Sequence, residues 1–238
     1  MAPAVGTCWA HDVNYPIVDA PTDCASTHYR ETFFVGTFDR NADGIANPLT
    51  AAARPACMRE AGAYLGSPDW VATRMWINWS EPRADQLRAG ANWFRCDIVV
   101  YSTHQSPAVV IDRQGSVRGA LAGDGMLAWR SCYAASSEVS VPCTEPHVEE
   151  AMGPSVDAGT AFADWPGDDA YRDFMDDTCA SIGKAYVGAN RNDVQWGWSQ
   201  LTQDEWDSGD RTELCFADTE NPVVGTVQGI GYGSLPTA

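Results

Sequence analysis

The chain has a single lysine, Lys184. Its 15 basic side chains face 32 acidic ones, a formal net charge of −17. Binding to a phosphate backbone or to an anionic bilayer surface needs a basic surplus, so this balance counts against nucleic acid and against direct membrane adsorption. Long apolar runs are missing too. Ile98-Val99-Val100 is typical of the longest, far short of the ~20 residues that span a bilayer. No two cysteines stand two residues apart, which removes the paired thiolates of zinc ribbons and the CxxCH attachment of haem. The nucleophile motif G-x-S-x-G, the H-E-x-x-H metal helix and the P-loop are absent. Only four histidines, His11, His28, His104 and His147, are available as bases. The first five residues have neither the basic nor the apolar segment of a secretory leader.

What is present suits a packed protein. Hydrophobic residues make up 45 % of the chain and charged residues 20 %, enough for a buried core. Eight cysteines, even in number and widely scattered through an acidic chain, predict four disulfides and an oxidising compartment, extracellular or in the cell envelope. Membrane attachment is then expected only through a signal or anchor that is not in this chain.

Subtracting positions exposes an internal repeat. Cys24 and Cys143, His28 and His147, Glu31 and Glu150, Trp79 and Trp198, Asp85 and Asp204, Gly90 and Gly209, and Cys96 and Cys215 are all 119 residues apart. Cys57 and Cys179 are 122 apart, as are Tyr64 and Tyr186, and Cys8 and Cys132 are 124 apart. Near the ends, Gly115-Ser116-Val117 aligns with Gly233-Ser234-Leu235 at 118. The chain therefore divides into modules 1–121 and 122–238, with the glycine-rich 119–125 as junction. Duplication also prunes the disulfide problem. Eight cysteines allow about 105 pairings; matched pairing within each module leaves three. Of these we favour first with second and third with fourth: Cys8–Cys24, Cys57–Cys96, Cys132–Cys143 and Cys179–Cys215.

Residues 29–38 are rich in aromatic and β-branched types and read as a strand, with 147–152 as the counterpart. A helix follows in each module. One starts at Pro48 and ends at Gly62 or Gly66. The other starts near Asp168 and ends at Gly183 or Gly188, with Tyr171, Phe174, Met175 and Cys179 on one apolar face. Residues 71–79 read as the next strand, 82–87 and 202–206 as short helices, and 92–102 and 210–217 as strands carrying the last cysteine of each module. Residues 109–111 open a final hairpin that turns at Gly115. The expected class is α+β: a tandem repeat of two small disulfide-bonded modules, each an antiparallel sheet with one main helix on a face.

These motifs resemble a family. The carriers are Val5-Gly6-Thr7-Cys8, then Cys24, His28 and Glu31, then Cys143, Pro146, His147 and Glu150, then Tyr186-Val187-Gly188, and finally Gly209-Asp210-Arg211 before Cys215. The pattern is similar to the septum-formation domain of exported proteins in high-GC Gram-positive bacteria. The second module is closer to it; the first has Ser26-Thr27 and Gly90-Ala91-Asn92 at the corresponding places. The resemblance implies an envelope-associated protein with a link to septation and no attached catalytic mechanism.

Four groups of residues are candidates for a site. His28 with Glu31 and His147 with Glu150 are the best-placed polar pairs, fit for a base with an orienting acid or for a metal half-site. Residues three apart on a strand face opposite ways, so one ion cannot take both. Each histidine is therefore expected to bond a backbone group beside a disulfide. Asp39, Asn41 and Asp43 match the opening of a calcium loop, although its twelfth position is Thr50 instead of a bidentate glutamate. Trp165 and Trp206 are expected as surface anchors, and the recurring Trp79 and Trp198 as core. Charge is concentrated in the second half: residues 120–238 carry 5 basic and 20 acidic side chains, net −15, against 10 and 12, net −2, before them. The run Asp164, Asp168, Asp169, Asp173, Asp176 and Asp177 reads as a solvated helix face or as a docking face for a basic partner or cations.

The leading expectation is a non-enzymatic, exported envelope protein that acts by binding a protein partner or cell-wall glycan, with no cofactor. Two others are a secreted hydrolase with His28 or His147 as base, and a calcium-stabilised adhesion module.

Overall fold

The computed structural model describes residues 2–11, 19–41, 47–102, 110–134, 140–207 and 209–237. They fall into two compact units. Of the described residues, 2–11, 19–41, 47–70, 75–102 and 110–125 belong to the first; 71–74, 126–134, 140–207 and 209–237 belong to the second.

The first unit is a five-stranded sheet with one long helix. Its strands are β1 (Cys8–His11), β2 (Asp19–Thr22), β3 (Arg30–Thr37), β4 (Met75–Ser80) and β5 (Trp93–Val100). All pairs are antiparallel, in the order β2-β1-β3-β5-β4. The helix α1 (Pro48–Leu65) begins with Pro48 at its first turn, where a missing N–H costs nothing, and the Asn47 side chain accepts from the Thr50 N–H. It ends at Gly66, whose φ of +93° is the left-handed cap that glycine adopts without strain. Ala53, Cys57, Ala61, Tyr64 and Leu65 are its buried residues. A short helix, α2 (Ala84–Arg88), precedes β5.

The second unit repeats this plan. After α3 (Gly125–Trp129) come β6 (Cys132–Tyr133), β7 (Ser140–Val141), β8 (His147–Asp157), β9 (Val194–Trp198) and β10 (Thr212–Val223), again antiparallel and in the corresponding order β7-β6-β8-β10-β9. The helix α4 (Asp168–Val187) has Asp168 and Asp169 in its first turn, where the dipole favours acids, and Gly188 as its left-handed cap. Tyr171, Met175, Cys179, Gly183, Tyr186 and Val187 form its buried stripe. A short helix α5 (Gln203–Asp207) precedes β10.

The α+β class, the antiparallel sheets with a main helix each, and four disulfides are all present. The bridges are Cys8–Cys24, Cys57–Cys96, Cys132–Cys143 and Cys179–Cys215. In each unit one bridge pins the long helix to a strand and the other ties the first strand to the turn before the histidine. Three expectations are corrected. Residues 71–79 are not one strand: Pro68–Ala72 is a 3-10 turn and only Met75–Ser80 is strand, because 72–74 bond to 129–131 instead. Among the described residues no hairpin turns at Gly115: the chain there continues past Cys24 so that Ser116 and Val117 donate to the buried Glu31 carboxylate. Finally, Gly115-Ser116-Val117 corresponds to Gly225-Thr226-Val227, 110 residues on. The Gly115 N–H donates to the Cys24 carbonyl as the Gly225 N–H does to that of Cys143. The first half has nine more residues between its last cysteine and this segment, which is why sequence spacing missed the match.

Candidate functional site

Glu31 and Glu150 sit directly across from Cys8 and Cys132 in neighbouring strands, pointing under the sheet toward the helix. Neither is more than 1 % exposed. A buried carboxylate needs donors, and each has a full set. Glu31 accepts from the Tyr64 hydroxyl at 2.6 Å, the Ser116 hydroxyl at 2.5 Å, the Val117 N–H at 2.8 Å and the Arg113 guanidinium at 3.2 Å. Glu150 accepts from the Tyr186 hydroxyl at 2.5 Å, the Thr226 hydroxyl and the Val227 N–H at 2.8 Å, with Arg130 Nε at 3.5 Å. The tyrosine ends the long helix and the hydroxyl–N–H pair comes from the segment after the last strand. One carboxylate thus fastens three parts of the chain. Burial pushes the Tyr64 phenol up to about 12, with the neighbouring Glu31 adding to the shift.

An arginine completes each clamp, but from a different place. Arg113 belongs to the segment that pairs with His28, and Arg130 precedes β6. Val223 stands opposite His147 where Arg113 stands opposite His28. Guanidinium groups also lie over the tyrosine rings: Arg118 at 4.4 Å from the Tyr64 centroid and Arg130 at 5.1 Å from that of Tyr186. The recurring Tyr64 and Tyr186 were visible in the repeat. The hydroxyl and arginine partners had no signal, because their spacing is not shared.

His28 and His147 are each 1 % exposed. Their Nδ1 atoms lie 2.8 Å from the carbonyl oxygens of Ser26 and Glu145. Each ring therefore fixes the turn beside a disulfide. Burial holds the His28 imidazole below its ordinary pKa. His28, Glu31, His147 and Glu150 are thus all enclosed, with each histidine held on a backbone carbonyl beside a disulfide. A general base must reach its substrate's proton, and these rings are closed off by their own unit.

The remaining candidates separate. Asp39 and Asn41 lie in a shallow depression of about 570 Å³ with Arg40 and Asn92, where the Asn41 N–H donates to Asp39 Oδ1 at 2.9 Å; Asp43 lies outside the described residues. Trp206 is 2 % exposed, which corrects its expected surface position. It packs in an aromatic cluster, 5.6 Å from Trp165 between ring centroids, and carries the Arg211 guanidinium at 3.7 Å. Trp165 is half-buried at the edge of that cluster, and Trp79 and Trp198 are half-buried as well. Beneath the cluster, Glu213 is 2 % exposed, accepts from the Ser199 hydroxyl and lies beside Tyr171. Burial raises its pKa to about 7. The acids Asp168, Asp169, Asp173, Asp176 and Asp177 are all exposed on α4.

Fold and clamps together define a class: a disulfide-stapled α+β protein in which a buried glutamate beside a cysteine bridge locks each unit. A family model described as septum formation matches residues 5–215, and the chain belongs to that family. This links it to septation. No curated protein and no solved structure matches it.

Proposed function

We propose that this chain is an exported, non-enzymatic protein of the cell envelope that serves septation by binding a basic protein partner through the acidic face of α4. The supporting observation is the row of exposed carboxylates Asp169, Asp173, Asp176 and Asp177, spaced 4, 3 and 1 residues apart and so on one side of the helix. Like charges at i,i+4 cost a helix about 0.2–0.5 kcal/mol per pair. The dipole offsets acids only in the first turn, and Asp173, Asp176 and Asp177 lie beyond it. Arg172 pairs with Asp169 at 2.5 Å and the Trp198 indole N–H donates to Asp176 at 2.9 Å, which offsets part of this cost and leaves a net negative face that suits a basic partner. Phe162, Trp165 and Phe174, partly buried beside it, add apolar area of the kind that anchors an interface. Export is supported by the four bridges, which persist in oxidising compartments.

The test compares the wild-type chain with a variant carrying Asp169→Asn, Asp173→Asn, Asp176→Asn and Asp177→Asn, each immobilised and exposed to envelope extract at low and physiological salt. The expected result is a partner held by wild type in a salt-sensitive way and released by the variant, with far-UV circular dichroism unchanged. Equal capture by the variant, or binding only to sedimented cell-wall glycan, removes the proposal.

A further inference from the structure

The geometry points to a second occupant for the sulfurs of the Cys132–Cys143 bridge: once the bridge is reduced, a thiophilic divalent cation is held by Cys132, Cys143 and His147. Both sulfurs and a ring nitrogen of His147 lie within 4.8 Å of one another. The two cysteines are 0 % exposed and the histidine 1 %. A carbonyl only accepts, so the contact from Nδ1 to the Glu145 oxygen places the ring proton on Nδ1. Nε2 then carries a lone pair. It is buried, and no hydrogen-bond donor among the described residues meets it. An imidazole oriented by an N–H to carbonyl contact, with its other nitrogen free to donate electrons, is the form in which histidine ligates metal.

The surrounding chain keeps these donors together. Cys132 on β6 pairs with Val141 on β7 and with Glu150 on β8, and these ladder bonds do not depend on the bridge. In a tetrahedral zinc site with Zn–S near 2.3 Å, two sulfurs stand about 3.8 Å apart, so a modest opening suffices. Two thiolates cancel the charge of a dication, which satisfies the demand that a dry site hold no net charge.

Electrons and protons balance simply. A dithiol reductant gives two electrons and two protons to the Cys132–Cys143 sulfur–sulfur bond and leaves as its own cyclic disulfide. The cation then displaces two protons from the thiols to solvent. Bridge and metal are mutually exclusive, so metal content follows the thiol state around the chain. The first unit supplies a contrast. There Cys8 and Cys24 group with Glu31, whose oxygens already accept from Tyr64, Ser116, Val117 and Arg113.

The test reduces the full chain in graded steps without oxygen and adds Zn2+ or Co2+. Alkylation followed by mass spectrometry reads which cysteines are covered, and cobalt absorption reads thiolate ligation. Expected are one equivalent of Co2+ with a thiolate-to-cobalt band and zinc protection of Cys132 and Cys143. His147→Ala is expected to weaken binding at least about tenfold, while His28→Ala leaves it unchanged. A second variant, Cys132→Asp, opens the bridge without reductant and keeps an oxygen, a sulfur and a nitrogen donor; it is expected to bind Co2+ at least about tenfold more tightly than Cys132→Ala. The idea is overturned if no cysteine pair is protected, if His147→Ala binds as wild type does, if Cys132→Asp binds no better than Cys132→Ala, or if the unit unfolds as this bridge opens.

Discussion

At the scale of single residues, two buried acids behave in opposite ways. Glu150 is matched by donors on every side, so its removal strands Arg130, which is 4 % exposed, without a carboxylate. Glu150→Ala is expected to cost about 3–5 kcal/mol in urea unfolding, whereas substituting exposed Glu220 costs less than about 0.5 kcal/mol. Equal losses would show that the clamp contributes little. Glu213 is under-supplied, and its pKa of about 7 stands above the ordinary 4.5. The folded chain holds a proton that the unfolded chain releases, so stability is full below pH 4.5 and is lost as pH rises toward 7. Glu213→Gln is expected to flatten this decline, which is worth up to about 3 kcal/mol; parallel urea midpoints for variant and wild type between pH 4.5 and 8 would contradict it. His28 has the reverse sign. Its folded pKa lies below 6.5, so its contribution is present above 6.5 and is lost as pH falls below it. His28→Gln should therefore lose less stability than wild type on acidification. The glutamates and histidines were legible as recurring letters. Their burial was not, since a charged residue in sequence gives no sign of the donors that will enclose it.

At the scale of elements, the two helix–sheet contacts show one shape solved twice. In the first unit Ala61 faces the sheet where Gly183 does in the second, and Ile77 takes the place of Trp196. A Cβ on Gly183 would stand 2.1 Å from the Trp196 ring. Alanine normally stabilises a helix interior by about 1 kcal/mol over glycine. Here the clash wins, and Gly183→Ala is expected to destabilise by about 1–3 kcal/mol. Adding Trp196→Ile, which restores the first unit's pair, should recover part of that loss; a double variant no better than the single would show that the contact is not the cause. Helix starts and stops were legible because they are local chemistry: Pro48, Asp168 and Asp169 at the beginnings, Gly66 and Gly188 at the ends. The turn at Pro68–Ala72 and the segment after Gly115 were not, because their partners, 129–131 and Glu31, are remote in sequence.

At the scale of the whole molecule, stability rests on cross-links closing loops of different length. Cys57–Cys96 spans 39 residues and Cys132–Cys143 spans 11. Chain-entropy arithmetic gives about 4 kcal/mol for the first and about 3 for the second. Replacing both cysteines of each pair by alanine should lower the urea midpoint more for the longer loop; the opposite order would place the effect in the folded state and not in the unfolded chain.

The sequence alone determined the class of fold and narrowed the cysteine pairings to three matched schemes, because these follow from residue type, local spacing and the matching of two halves; the structure selected Cys8–Cys24, Cys57–Cys96, Cys132–Cys143 and Cys179–Cys215. Only tertiary structure decided that the histidine and glutamate pairs turn inward, that Trp206 is core and that Gly115 answers to Gly225. Each of those outcomes depends on which distant group supplies the missing hydrogen bond or fills the space, and no local pattern encodes that.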